Sequence, residues 1–155
     1  MPILAVNKRG NFDYEILSTY EAGMVLLGHE VKSVKTGHVS LKGAYVTLKQ
    51  TAKNGRLPEV YLINAHIPLY KFAGKVKDYE PYRSRKLLIS KKEVKYLVGK
   101  KQEQGLTLVP LKLYTKRSLI KLEFGIGRGR KKYDKRELIK KRDTDREMRT
   151  LTKRE

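Results

Sequence analysis

The β-branched and aromatic residues of this chain fall in short runs broken by turn residues, and that punctuation restricts it to a fold of many short strands. The runs are Phe12 to Leu17, His29 to Lys35, Ala44 to Gln50, Leu57 to Asn64, Thr107 to Thr115 and Ser118 to Gly125. Asn54-Gly55 supplies a turn between two of them,. Pro110 has no amide hydrogen to donate, so its run predicts a sheet edge or a bulge,. Two helices are predicted by a Ser followed three residues later by a Glu, in Ser18-Thr19-Tyr20-Glu21 and in Ser90-Lys91-Lys92-Glu93. In each, the hydroxyl can accept a backbone amide while the carboxylate reaches back to the cap. The second opens an amphipathic segment with Val94, Leu97 and Val98 on one side and Gly105 as its stop,. A mainly β fold with short helices follows, and six short strands with one or two covering helices predict a small closed β-barrel of the oligonucleotide-binding type.

The pattern changes at Gly125. Residues 125–155 carry 13 basic and 6 acidic side chains, with Ile126, Tyr133, Leu138, Ile139, Met148 and Leu151 as the sizeable apolar groups. Such a segment cannot bury enough surface to fold alone. The expected organisation is a body over residues 1–124 and a basic, flexible C-terminal tail over residues 125–155. The tail is expected to be disordered alone and helical on a target, since good helix formers dominate it. Gly125-Ile126-Gly127-Arg128-Gly129 reads as a hinge between the two, lacking the spacing of a phosphate-binding loop,.

Across the whole sequence 36 Lys and Arg face 16 Asp and Glu, a formal net charge of +20. That excess calls for a polyanion, and nucleic-acid backbones are the commonest one. Several classes drop out. With no cysteine there is no disulfide, thiolate metal site or cysteine nucleophile, which fits a reducing compartment,. Ile3 to Val6 is too short for a signal-peptide core, and Val60 to Tyr70 too short to cross a bilayer, so a cytoplasmic protein is expected,. His29, His38 and His66 lie apart without paired spacing, so neither metal nor other cofactor is expected,. Acidic residues are scattered and no Ser-His-Asp order stands out, so no catalysis is expected. Glu21 is explained by its cap, and Glu30 by an ion pair with Lys32 on one face of a predicted strand,.

Two constellations fit RNA. From Tyr70 to Lys86, the rings of Tyr70, Phe72, Tyr79 and Tyr82 alternate with Lys71, Lys75, Lys77, Arg83, Arg85 and Lys86. Rings stack on unpaired bases while cations neutralise phosphates, as a single-stranded or looped RNA requires. A crossover whose tyrosines plug the barrel and whose charges are solvated would give the same pattern. In the tail, Arg128, Arg130, Lys131, Lys132, Lys135 and Arg136 surround Tyr133 and Asp134. These cations could track phosphates with Tyr133 on a base, although a nonspecific polybasic patch would also look like this.

The order of motifs is more specific than the composition. Asn7-Lys8-Arg9, Tyr20-Glu21-Ala22-Gly23, Gly28-His29-Glu30-Val31-Lys32-Ser33, Gly37, Leu41 and Tyr45-Val46 resemble the N-terminal half of the SmpB family. Arg83-Ser84-Arg85-Lys86-Leu87-Leu88, Thr107-Leu108-Val109-Pro110-Leu111 and Lys131-Lys132-Tyr133-Asp134-Lys135-Arg136-Glu137 continue the resemblance in order. It implies a barrel that grips the tRNA-like domain of transfer-messenger RNA, as a monomer on the RNA, and enters stalled ribosomes with it. It further implies a tail that folds into a helix in the decoding centre and the empty messenger channel. By motif position it ties Asn7, Glu21 and Leu88 to RNA, with a cap and a core strand as the structural explanations of Glu21 and Leu88; Lys8 and Arg9 beside Asn7, and Arg83, Arg85 and Lys86 of the aromatic and basic stretch, are the other expected RNA-binding residues. It ties Lys131, Lys132, Asp134, Lys135 and Arg136 to the ribosome, and Arg130 and Tyr133 complete the expected ribosome-binding tail. Arg130 departs from a common Gly and Tyr133 from a common His, so stacking carries over but a titrating imidazole does not. The rival readings are a ribosomal or initiation protein with a similar barrel, and an RNA-processing nuclease.

Overall fold

In the chain's computed structural model, which describes residues 2–50, 57–103, 105–130 and 136–146, seven strands form one antiparallel sheet. In chain order the elements are β1 (Ile3–Val6), α1 (Lys8–Asp13), β2 (Tyr14–Met24), α2 (Gly28–Lys35), β3 (Tyr45–Lys49) and β4 (Glu59–Ile63). β5 (Arg85–Leu88), α3 (Lys91–Lys101), β6 (Leu106–Lys116) and β7 (Leu119–Gly129) follow, and residues 136–146 are helical. The hydrogen-bonded order is β1-β6-β7-β2-β5-β4-β3. The sheet curls until β3 lies near β6, but among the described residues no ladder joins the β1 and β3 ends, so the sheet is open where closure was expected.

The long β6–β7 hairpin turns at Arg117 and Ser118, whose φ values of 52° and 66° place both in the left-handed region. A turn of this kind twists with the flanking strands rather than splaying them. Leu62, Leu113, Leu122 and Phe124 fill the concave face, closed by Val34 of α2 and by Val94 and Leu97 of α3. The predicted cap of α3 forms: the Glu93 amide donates to Ser90 Oγ at 3.3 Å and the Ser90 hydroxyl bonds the Glu93 carboxylate at 3.1 Å. Pro110 sits at a bulge, where the register of β6 against β7 shifts.

Three expectations are overturned. His29 to Lys35 is helix α2 rather than a strand. Its buried positions Glu30, Ser33 and Val34 follow helical spacing, and two of the three are polar,. Ser18 to Glu21 caps nothing, because these residues continue β2 and pair with β7, Glu21 opposite Glu123. The glycine run from Gly125 is not a hinge but part of β7, buried through Gly127 and continuing to Gly129. A Cβ on Gly125 would stand 2.8 Å from both Ile16 Cγ2 and the Ser18 carbonyl oxygen, so β2 and β7 can approach here only without a side chain,. The Asn54-Gly55 turn lies outside the described residues. Among the described residues no helix is long and apolar enough to cross a membrane.

Candidate nucleic-acid interface

β2 and β5 share a short ladder, Gly23 opposite Leu88 and Met24 opposite Leu87, and below it an open groove of about 520 Å³ forms beside the first turn of α3. Period-2 alternation sends Leu87 into the core and Leu88 outward, 55% exposed,. A core role for Leu88 is thereby overturned. The groove is lined by Glu21, Glu59, Lys86, Leu88 and Lys121 among others, so Glu21 meets Lys86 and Leu88, singled out from a distant part of the sequence, in one place. The Glu21 carboxylate accepts the Tyr114 hydroxyl and faces Lys116 Nζ at 3.4 Å. The Tyr114 hydrogen bond, reinforced by Lys116, holds Glu21 below the usual carboxylate range against some burial. Lys86 Nζ meets Glu59 at 3.2 Å, and Glu59, which also accepts the Tyr61 hydroxyl at 2.5 Å, is likewise held low by these two donors. The result is an apolar leucine ringed by ionised groups of both signs.

The N-terminal motif divides between support and surface. Asn7 is buried and caps α1, its Oδ1 accepting the Gly10 amide at 3.2 Å. Its Nδ2 donates to the Pro110 carbonyl at 2.7 Å and its amide to the Leu111 carbonyl at 2.8 Å, tying α1 to the β6 bulge. Lys8 and Arg9 are exposed on α1 and line an open cleft of about 560 Å³ with Ser40 and Lys42.

Arg83 and Arg85 converge on Glu30, not on a free surface. Arg85 is 0% exposed: its Nε and Nη2 donate to Glu30 Oε2 at 3.1 and 2.7 Å, and Nη1 to the Ala65 carbonyl at 2.6 Å. Arg83 adds Nε to Oε2 at 3.0 Å and a contact from Nη2 to Oε1, while the Leu27 amide donates to Oε1 at 2.8 Å. The Tyr79 hydroxyl lies 2.9 Å from Glu30 and 2.7 Å from the Ile67 carbonyl. Burial alone would raise the Glu30 pKa, but the bonds from Arg83, the Leu27 amide and Arg85 outweigh it and bring it to about 2. Burial, with the neighbouring carboxylate, pushes Tyr79 up to about 12. The ion pair expected between Glu30 and Lys32 is thus replaced by two arginines from across the fold. No pattern in the sequence announces this network, because a buried Glu has no apolar signature.

At the C-terminal end, the Arg130 amide donates to the Asp13 carbonyl at 2.8 Å, and Arg136 is exposed in the helical stretch. Lys131, Lys132, Tyr133, Asp134 and Lys135 lie outside the described residues. Among the described residues no cluster of His, Asp or Glu has the arrangement of a metal site.

The family described as SmpB protein matches residues 4–154 of the chain. The chain belongs to the SmpB family. An SsrA-binding protein of Trichodesmium erythraeum is 44% identical over 151 residues, spanning 97% of this chain and 92% of that one. The SsrA-binding protein of Ligilactobacillus salivarius is 46% identical over 150 residues, 97% and 92% of the two chains. A solved SmpB-family chain from "tmRNA-SmpB: a journey to the center of the bacterial ribosome" aligns with a TM-score of 0.63 and 43% identity, covering 85% of this chain and 87% of that one.

Proposed function

We propose that this chain binds the tRNA-like domain of transfer-messenger RNA and delivers it to stalled ribosomes for rescue by trans-translation. The reading rests above all on relatives named SsrA-binding proteins that match almost the whole chain at 44% and 46% identity. In support, the groove gathers Glu21, Lys86 and Leu88, residues of two separate family motifs, around an exposed apolar side chain. The protein acts as a cytoplasmic, non-enzymatic adaptor, a monomer on the RNA. Its sheet wraps as an oligonucleotide-binding barrel whose seam, where β3 nears β6, is bridged without a ladder. Leu88 meets a nucleotide edge, Lys8, Arg9, Lys86 and Lys121 meet phosphates, and Asn7 and Arg85 position those surfaces from beneath. The segment after Gly129, with Arg130, Lys131, Lys132, Tyr133, Asp134, Lys135 and Arg136, reads the empty messenger channel.

Capture of bound RNA followed by sequencing tests the partner, and transfer-messenger RNA should be enriched over ribosomal RNA; enrichment of ribosomal RNA alone would favour a ribosomal protein instead. Ending the chain after Arg130 should leave RNA affinity within about threefold, less than 1 kcal/mol, and abolish rescue of stalled ribosomes. Loss of both together would refute the division of labour.

A further inference from the structure

The segment between β4 and β5 separates into two populations of side chains. Tyr79, Arg83 and Arg85 turn inward to Glu30, as a plug would. Phe72 does the opposite and stands 75% exposed, with Tyr82 51% exposed farther along. Scattered exposed apolar residues are ordinary, but this ring is carried on a loop that the buried network holds in place. The Ile67 amide donates to the Pro81 carbonyl at 3.1 Å, closing the loop at its base. Ser33 Oγ donates to the Pro68 carbonyl at 2.9 Å, fastening one limb to α2, and Tyr79 and Arg83 fasten the other. At the tip, the Ala73 amide bonds the Tyr70 carbonyl at 2.9 Å and Gly74 takes a φ of +74°, making the turn that presents Phe72,.

Each exposed ring leans on a half-buried one, and the pair at the loop tip carries cations. Tyr70 and Phe72 meet edge to face at 5.6 Å, and Tyr82 lies 4.8 Å from His66. Lys71 Nζ sits 5.6 Å from the Phe72 ring centre and Lys32 Nζ 5.9 Å from that of Tyr70. Lys75 and Lys77 are exposed on the same loop, against the carboxylates of Asp78 and Glu80, the latter accepting the Tyr82 amide at 3.0 Å. An apolar peptide would find few apolar neighbours here. Unpaired nucleotides find ring faces for bases and ammonium groups for phosphates, with little ordering left to do on binding.

We propose that residues 70–82 form a second RNA contact, a base-stacking platform centred on Phe72 and Tyr70 that is separate from the groove around Leu88. The two lie toward opposite ends of β5, the loop entering at Arg85 and the groove opening at Leu88. The proposal rests on the RNA-binding function above and adds that the RNA is held at two places, one of them through unpaired bases.

The sequence contains no tryptophan, so Phe72→Trp places a single indole at the proposed contact in the full-length protein. Titration with the tRNA-like RNA fragment should quench its fluorescence as the complex forms, with binding followed independently by filter retention. A Leu119→Trp control at the β6–β7 turn should stay unquenched. Phe72→Ala should weaken binding about five- to hundredfold, the range of one lost base stack, with unchanged salt dependence because no cation is removed. RNA that binds without quenching the indole, or quenches both positions equally, would overturn the platform and leave the RNA-binding function standing. No binding beyond that of an unstructured polyanion such as heparin would instead remove the RNA-binding function itself.

Discussion

Glu30 and Glu21 are both glutamates surrounded by cations and held ionised, yet they serve opposite ends. Glu30 is 0% exposed and takes bonds from two guanidiniums, one of them fully buried, so its charge is spent joining α2, β5 and the loop before β5. Glu21 stands on the outer face of β2 at the rim of the groove, with Tyr114 and Lys116 beside it and open solvent in front. Charge and pKa direction are alike in the two; what separates them is whether water, or a ligand in its place, can reach the carboxylate.

The comparison breaks most decisively at the buried site. Glu30→Gln should cost about 3–5 kcal/mol in urea unfolding, because Arg85 is left with an uncompensated buried charge. That is a large share of the roughly 5–15 kcal/mol typical of a domain; a cost near zero would show that Arg85 reaches water. Acid titration tests the same carboxylate. Its pKa of about 2 in the folded protein lies below the ordinary 4.5, so its contribution is complete above about pH 4.5 and is lost as pH falls through about 2,. Stability should fall by roughly 3 kcal/mol over that window through this group alone, and Glu30→Gln should flatten the slope.

At the open site the signs reverse, with binding lost and stability kept. Leu88→Asp should lower affinity for the tRNA-like RNA about tenfold, near 1.4 kcal/mol, while changing unfolding free energy by no more than about 0.5 kcal/mol. A marked drop in melting temperature would return Leu88 to a structural role. Smallest of all, Glu21→Gln keeps an acceptor for Tyr114 and removes only a solvated charge. It should shift RNA affinity less than about fivefold, within 1 kcal/mol, and leave stability unchanged in thermal melts.

The same contrast explains what the sequence disclosed. Strands β6 and β7 were legible from their clustered β-branched and aromatic residues between turn signals, and the Ser90 cap was legible from its spacing,. Helix α2 was not, since Glu30 and Ser33 are two of its three buried residues and hide the helical stripe from any hydrophobic pattern,. Ser18 and Glu21 carry the signature of a cap, but pairing with β7 offers the backbone more than one helical turn could,. Leu88 was picked out by family resemblance alone; its outward direction needed the register opposite Gly23. For Arg85, an arginine in a basic run reads as surface until the carboxylate that buries it is seen.

Strand β7 carries Lys121 in the groove at one end and Gly129 at the other, where the Arg130 amide is fastened to Asp13. At about 3.3 Å per residue it acts as a ruler of roughly 26 Å between the groove and the point where the chain leaves the sheet. Adding two residues within β7 would lengthen that ruler while keeping each side chain on its own face, whereas adding one would turn the strand inside out.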